Sequence, residues 1–349
     1  LVVVSIIALL ISILLPSLRR AREQARTAVC GSQQAALGRG LSSYFAENND
    51  WIPGYNTSSV EYREWKLKAL QDPTVLGDPG FPVQPHDWLS PLIRLDTKLP
   101  HNRAERFHLI TQKYSCPSQR ALSSVLYPDP AQIPDGADFL KKGKWQPLSY
   151  LMPVHFQYWG QQERGKTLGW LVDMPRDAYT KVAAEAANEN WEVVVHNYVP
   201  NVARVGAPAG KVFVADGTRF VDEGGLVDHD VSPYPQHFGS FTSSGAWWSG
   251  STTYGVSERS LNWDGNAIGA GSASHGINLY YSYRHGKRGR GNGSCQANQG
   301  AISAVFFDGH VEVLTDRESR KIDFWYPKNG VVKAPGEGMT TVPSNYVIR

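Results

Sequence analysis

The chain has 349 residues, 41% hydrophobic and 19% charged, with a formal net charge of +3. So small a charge gives no reason to expect a nucleic-acid partner, and the length allows one large or two small globular lobes. Three cysteines allow at most one internal disulfide.

Leu1 to Leu18 reads LVVVSIIALLISILLPSL, without a charge, and Arg19, Arg20 and Arg22 follow at once. As a helix rising about 1.5 Å per residue, the segment spans roughly 27 Å, close to the hydrocarbon thickness of a bilayer. Arg19-Arg20-Ala21-Arg22 makes a poor signal-peptidase site. A membrane anchor and an assembly helix remain as readings. Ala21, Ala25, Val29, Ala36, Leu41 and Phe45 recur at near-helical spacing, and no turn cluster appears before Asn48-Asn49-Asp50. The pattern therefore predicts one helix of about 45 residues, roughly 70 Å long. Pro16 is expected to kink or locally melt it. Gly31, Gly38 and Gly40 are expected to weaken it by about 1 kcal/mol each.

Downstream, Asp72 to Pro85 is turn-rich, and His86 to Leu95 reads as a short apolar helix or turn packing under the long one. Pro128 to Pro147 reads as loop and Arg176 to Asn190 as an exposed helix. Strand signals follow at Trp191–Val199, Lys211–Phe220, Leu279–Arg284 and Ala301–Leu314, β-branched and aromatic runs bounded by Gly and Asp. The expected fold class is α+β: a long N-terminal helix packed on a loop-rich domain with an antiparallel sheet. The domain division is 1–46 for the helix and 47–349 for the globular part.

Asp216-Gly217 and Asp308-Gly309 each follow an apolar run. They are read as type I′ hairpin turns, with positive φ at both central residues. Asp216 and Asp308 are also the two candidates for ligating a cation. Oxygen ligands suit calcium, although no dense acidic run supports it, and no other cofactor is expected. His285 to Gly293 is a Gly-rich basic loop suited to phosphates, an acidic polymer or a subunit contact. Tyr158-Trp159, Trp247-Trp248 and Trp263 sit among small polar residues, where aromatics pack or stack on sugars. The chain lacks the G-x-S-x-G, H-E-x-x-H, P-loop and C-x-x-C patterns. His310 after Asp308-Gly309 makes no acid–base pair by itself, so the chain is not expected to be an enzyme.

Leu1 to Thr27 resembles the N-terminus of type IV pilins and pseudopilins, the prepilin-type proteins. The chain starts later than such a mature start, so the basic leader, the aromatic first residue and the nearby acidic residue are not in it. It is expected to be a truncated form. Cys30-Gly31-Ser32-Gln33-Gln34, Leu41 to Tyr44 and Trp51-Ile52-Pro53 are similar to a stretch of the large prepilin-type proteins of planctomycetes and their relatives. Tyr114-Ser115-Cys116-Pro117-Ser118, Ser149-Tyr150 and Ala304 to Val311 resemble further segments of that group. The last is similar to a His…Asp-Gly signature, but with 22 residues between His285 and Asp308 the spacer is longer than in that group and implies an insertion.

The resemblance implies a structural subunit of a type IV pilus-like extracellular filament, held in the inner membrane before assembly. Its partners would be copies of itself and a pilus or secretion assembly machinery. Leu1, Val4, Ile7, Leu10, Leu14, Pro16 and Leu18 would carry the packing. Arg19, Arg20, Arg22 and Arg26 would pair with acidic groups on neighbours. By charge placement alone, five arginines against Glu23 in residues 19–46 put the globular part in the cytoplasm; the resemblance puts it outside, and that placement is adopted. Cys30–Cys116 is the preferred disulfide, since both lie in family-like motifs. The alternatives are a minor pseudopilin of a type II secretion-like system, which would leave it in the periplasm, and a membrane-tethered carbohydrate-binding protein.

Overall fold

A computed structural model describes residues 2–59, 82–94, 97–118, 125–127, 148–158, 160, 193–195, 197–219, 228–230, 241–243, 261–262, 279–286, 300–319, 321–332 and 345–349. Leu1, the expected helix at 176–190, the expected loop at 128–147, residues 287–293, Trp159, Trp247, Trp248, Trp263 and Cys295 lie outside the described residues.

Helix α1 runs from Val2 to Glu47 as one element, through Pro16. Pro16 has no N–H to donate. Ser12 and Ser17 turn their hydroxyls back onto the carbonyls of Leu9 and Leu14 at 2.7 and 2.8 Å. The helix ends at Asn48–Asp50, where Asn49 and Asp50 take φ of 50° and 64°, the left-handed region that Asn and Asp tolerate best among side-chain-bearing residues. The Asn48 side chain donates to the Tyr44 carbonyl.

Two shorter helices follow, α2 (Leu89–Ile93) and α3 (Arg103–Lys113). Asp87 starts α2: one carboxylate oxygen accepts from the N–H groups of Leu89 and Ser90, the other from Val83. Asn102 caps α3 by accepting from Glu105 N at 2.9 Å. The sequence reading missed α3, although Asn102 with Glu105 three residues on is a helix-start signature.

The strands, in chain order, are β1 (Val125–Tyr127), β2 (Tyr150–Pro153), β3 (Val193–Val195), β4 (Val212–Arg219), β5 (Asp228–Asp230), β6 (Thr242–Ser243), β7 (Leu261–Asn262), β8 (Leu279–Tyr283), β9 (His285–Gly286), β10 (Gly300–Phe306), β11 (Val311–Thr315) and β12 (Gly330–Val332). Among the described residues, eight of them form one sheet with the spine β11-β10-β4-β2-β6; β8 also pairs with β4, β7 with β8 and β9 with β10. The centre is antiparallel, while β6 on β2 and β7 on β8 are parallel.

Strand alternation sorts side chains onto two faces. Tyr150, Met152, Val305 and Phe307 join Cys30, Leu37, Leu41 and Tyr44 of α1 in one buried cluster. Leu151, Ile302, Ala304 and Phe306 join Trp325, Tyr326, Val332 and Ile348 in the other. The register shifts between Val305, opposite Val214, and Phe306, opposite Val212. That irregularity lets both Phe213 and Val214 reach the helix-side cluster. The buried residues of α1, Cys30, Gln34, Leu37, Gly38, Leu41 and Tyr44, recur every three or four positions, so one stripe faces the sheet. The second half of α1 therefore belongs to the core of the globular part.

Two expectations are corrected. Asp216-Gly217 is not a hairpin turn: it lies inside β4, where Tyr150 pairs with Asp216 and Tyr281 with Gly217. Asp308-Gly309 is a turn, but of the two only Gly309 has positive φ, 89°. A type I′ turn would need both.

Candidate functional site

The first half of α1 and the second have opposite environments. Twelve large aliphatic side chains between Val2 and Leu18 are 47–73% exposed. Val4, Ile7, Leu10, Leu14 and Leu18 are among them, at 70%, 50%, 55%, 62% and 48%. Pro16 is exposed in the same stretch. Fully burying such a side chain contributes roughly 1.5–3 kcal/mol. At that partial exposure, leaving all twelve in water forfeits on the order of 10–20 kcal/mol, as much as the net stability of about 5–15 kcal/mol typical of a whole domain. The most apolar stretch of α1 has the length and composition of a membrane span, and the lobe buries none of it. An N-terminal helix of this kind is consistent with a membrane anchor or a signal sequence.

Arg19, Arg20 and Arg22 are exposed just beyond this stretch. Arg26 is half-buried and pairs within the chain, 3.5 Å from Glu23. Glu23, in turn, accepts from the Ser118 hydroxyl at 2.9 Å. The lobe thus takes hold of the helix one turn after Leu18.

From there a polar seam runs between α1 and the sheet. Glu23, Thr27, Cys30 and Gln34 stand at i, i+4, i+7 and i+11, one stripe of the helix. Cys30 and Cys116 are joined by a disulfide, with Cα atoms 5.3 Å apart. His285 is 1% exposed; its Nε2 lies 3.0 Å from Asp216 Oδ2 and 3.8 Å from Cys116 Sγ. Its Nδ1 lies 3.1 Å from Thr27 Oγ1 and 3.8 Å from Glu23 Oε1. Asp216 also accepts from Ser303 N at 2.8 Å and, at 3.5 Å, from Gln34 Nε2. Ser303 and Gln34 exchange two more bonds, hydroxyl to amide oxygen at 2.6 Å and amide nitrogen to carbonyl at 3.0 Å. Tyr150 donates to Gln33 Oε1, and Ser149 Oγ accepts from Cys116 N.

Burial opposes charge on His285, but the Asp216 carboxylate and the hydrogen bonds to Asp216 and Glu23 outweigh it, against Arg284, and raise its pKa to about 9. Burial, and then the Asp216 charge, push the Tyr150 phenol well above its ordinary range. Burial pulls the Arg284 guanidinium down, while Asp216 and Tyr150 work to hold its charge.

The seam brings together segments that lie far apart in the sequence: Cys30 to Gln34, Cys116 to Ser118, Ser149-Tyr150 and His285. Asp308-Gly309 docks further along α1, at Gly38. Asp216 and Asp308, the two cation candidates, have different surroundings. Asp216 is buried among the donors described above. Asp308 is 37% exposed and holds His310 Nδ1 at 2.6 Å. Sequence reasoning missed Glu23, Thr27, Arg284 and Ser303. The helical spacing of Glu23, Thr27, Cys30 and Gln34 was the available signal.

A separate open cleft of about 250 Å³ lies beyond the C-terminal end of α1, lined by Asn49, Trp51, Val199, Asn201 and Arg204. Asn201 is spent internally: its amide donates to the Asn49 carbonyl and accepts from Ala203 N.

The layout, a long apolar N-terminal helix followed by a small antiparallel sheet, is pilin-like. Comparison with known proteins finds no matching family model, no matching curated sequence and no matching solved structure.

Proposed function

We propose that the chain is a structural subunit of a type IV pilus-like extracellular filament, polymerising through its N-terminal helix. The observation that carries this reading is the division of α1. One continuous helix has its second half locked into the lobe and its first half presented bare and apolar. Such a half-helix needs either lipid or other helices around it. Moving it from bilayer to filament core keeps it out of water throughout, so assembly is driven by packing and polar pairing rather than by hydrophobic transfer. Arg19, Arg20 and Arg22, exposed at the end of that stretch, are the groups placed to meet acidic side chains on neighbouring copies. Arg26 already has Glu23.

Cryo-electron microscopy of fibres sheared from the source cells tests this. Ordered fibres with α1 at their axis support the reading. Fibres made of another protein, with this chain left in the membrane fraction, move it to a minor pseudopilin. Assembly that survives charge reversal of Arg19, Arg20 and Arg22 together sinks the role given to them.

The cleft supports a second reading, a membrane-tethered carbohydrate-binding protein. Trp51, an indole of the kind that stacks on sugars, and the cation Arg204 are among its lining residues. Glycan-array binding by the detergent-solubilised chain, lost in Trp51→Ala, favours it. An array without signal leaves assembly as the reading.

A further inference from the structure

The disulfide Cys30–Cys116 and His285 form a compact donor group whose chemistry depends on the state of the two sulfurs. Cys30 Sγ, Cys116 Sγ and a His285 ring nitrogen all lie within 4.8 Å of one another, and all three residues are buried. Asp216 Oδ2 adds a fourth donor, 3.0 Å from His285 Nε2. We propose that the reduced chain carries a zinc site made by Cys30, Cys116, His285 and Asp216.

The donor set is two thiolates, an imidazole and a carboxylate, which is zinc chemistry rather than calcium chemistry. A tetrahedral zinc with these ligands holds them roughly 3.3–3.8 Å apart. Breaking the S–S bond moves the sulfurs out to van der Waals contact, which is about that spacing. His285 Nε2 already stands 3.8 Å from Cys116 Sγ and 3.0 Å from Asp216 Oδ2.

The surroundings are those of ligands fixed from behind. A metal-bound histidine presents its second ring nitrogen to a carboxylate or another acceptor. His285 Nδ1 faces Thr27 Oγ1 and Glu23 Oε1. Asp216 is held by Ser303 N and Gln34 Nε2, and the Cys116 backbone by Ser149 Oγ. The ligands come from α1, the segment after α3, β4 and β9, so the folded lobe assembles the site before any metal arrives. Arg284, close enough to interact with Asp216, adds a positive charge that helps offset the two thiolates and the carboxylates of Asp216 and Glu23.

A dithiol reductant gives two electrons and two protons to the disulfide, becomes a disulfide itself, and leaves two thiols on the chain. Zinc then displaces both thiol protons and the imidazolium proton of His285. The oxidised chain cannot ligate through either sulfur, so disulfide and zinc are alternative cross-links between the same helix and lobe.

The test uses the full chain in detergent with Cys295→Ser, so that only Cys30 and Cys116 report. The protein is unfolded, reduced with a phosphine, refolded under reductant and titrated with cobalt(II). Expected is about one equivalent bound, with the visible bands of tetrahedral, thiolate-ligated cobalt and their bleaching by zinc. The oxidised chain gives no such bands. Thr27→Val and Glu23→Gln weaken binding by about 10-fold or more while the near-ultraviolet circular dichroism is retained. A folded, reduced chain that takes up no cobalt overturns the proposal, as does uptake unchanged in His285→Ala. If the reduced chain does not refold alone, zinc restores its near-ultraviolet signal; failure to restore it is equally fatal.

Discussion

Gly38, in the middle of α1, lies directly against Gly309 of the β10–β11 turn. A Cβ at position 38 would stand 2.9 Å from the Gly309 carbonyl oxygen and 3.0 Å from its Cα. The helix and the turn approach this closely because Gly38 has no side chain; a Cβ on Gly309 would make only ordinary contact, 3.7 Å from the Gly38 carbonyl oxygen. Gly40 has the same relationship with α2, where a Cβ would meet the Leu92 carbonyl oxygen at 2.9 Å. Gly31 has nothing within 4 Å.

Gly31 and Gly38 make opposite predictions for one substitution. Gly31→Ala gains helix propensity without a clash and should stabilise the chain by about 1 kcal/mol. Gly38→Ala gains the same propensity but forces the Asp308-Gly309 turn away, and should cost about 1–3 kcal/mol net. Urea unfolding of the detergent-solubilised chain, followed by tryptophan fluorescence, reads both. Equal effects at the two positions would contradict the docking of Gly38 on Gly309.

His285 makes stability depend on pH. Its folded pKa, about 9, lies above the ordinary value of 6.5, so its contribution is fully present below pH 6.5 and lost as the pH rises through 9. By linkage the loss is on the order of 3 kcal/mol. Thermal melts of the oxidised chain at pH 6 and pH 9.5 should differ accordingly. In His285→Gln this part of the difference should vanish.

The disulfide closes a loop of 86 residues, for which chain-entropy reasoning gives about 4–5 kcal/mol of stabilisation. Cys116→Ser should lower the unfolding free energy by that order. Proteolytic mapping without reductant should recover one linked peptide containing Cys30 and Cys116. A map linking either residue to Cys295 instead would refute the pairing.

The apolar half of α1 should tolerate no charge at its centre. Leu10→Arg places a guanidinium where insertion costs about 2.5–3.5 kcal/mol. Carbonate extraction of membranes should then release a larger share of the variant than of the wild type. Leu10→Ile, which keeps the side chain apolar, should behave as the wild type does.

The long helix was legible in the sequence because its evidence is local. An uncharged run, a basic boundary and near-helical spacing to Phe45 are properties of neighbouring residues, and they fixed α1 within a few positions. The strands at Val212–Arg219 and Gly300–Thr315 were legible for the same reason. Pro16 and Asp216 show where local evidence fails. The local melting expected at Pro16 does not occur, since the helix runs on through it. An Asp-Gly pair with a strong turn preference is drawn into a strand, because its carboxylate is satisfied by Ser303, Gln34 and His285.

The sequence alone thus determined that a long apolar helix leads into an α+β lobe. Tertiary structure alone decided that Asp216 and His285 join the Cys30–Cys116 pair in one buried seam, and that Gly38 meets Gly309. The pairs brought together stand up to 271 positions apart in the chain. Helical and strand periodicity reports which face a residue takes, but it carries no information about which distant segment covers that face. The partner is chosen by close packing and by the need of every buried donor and acceptor for a mate.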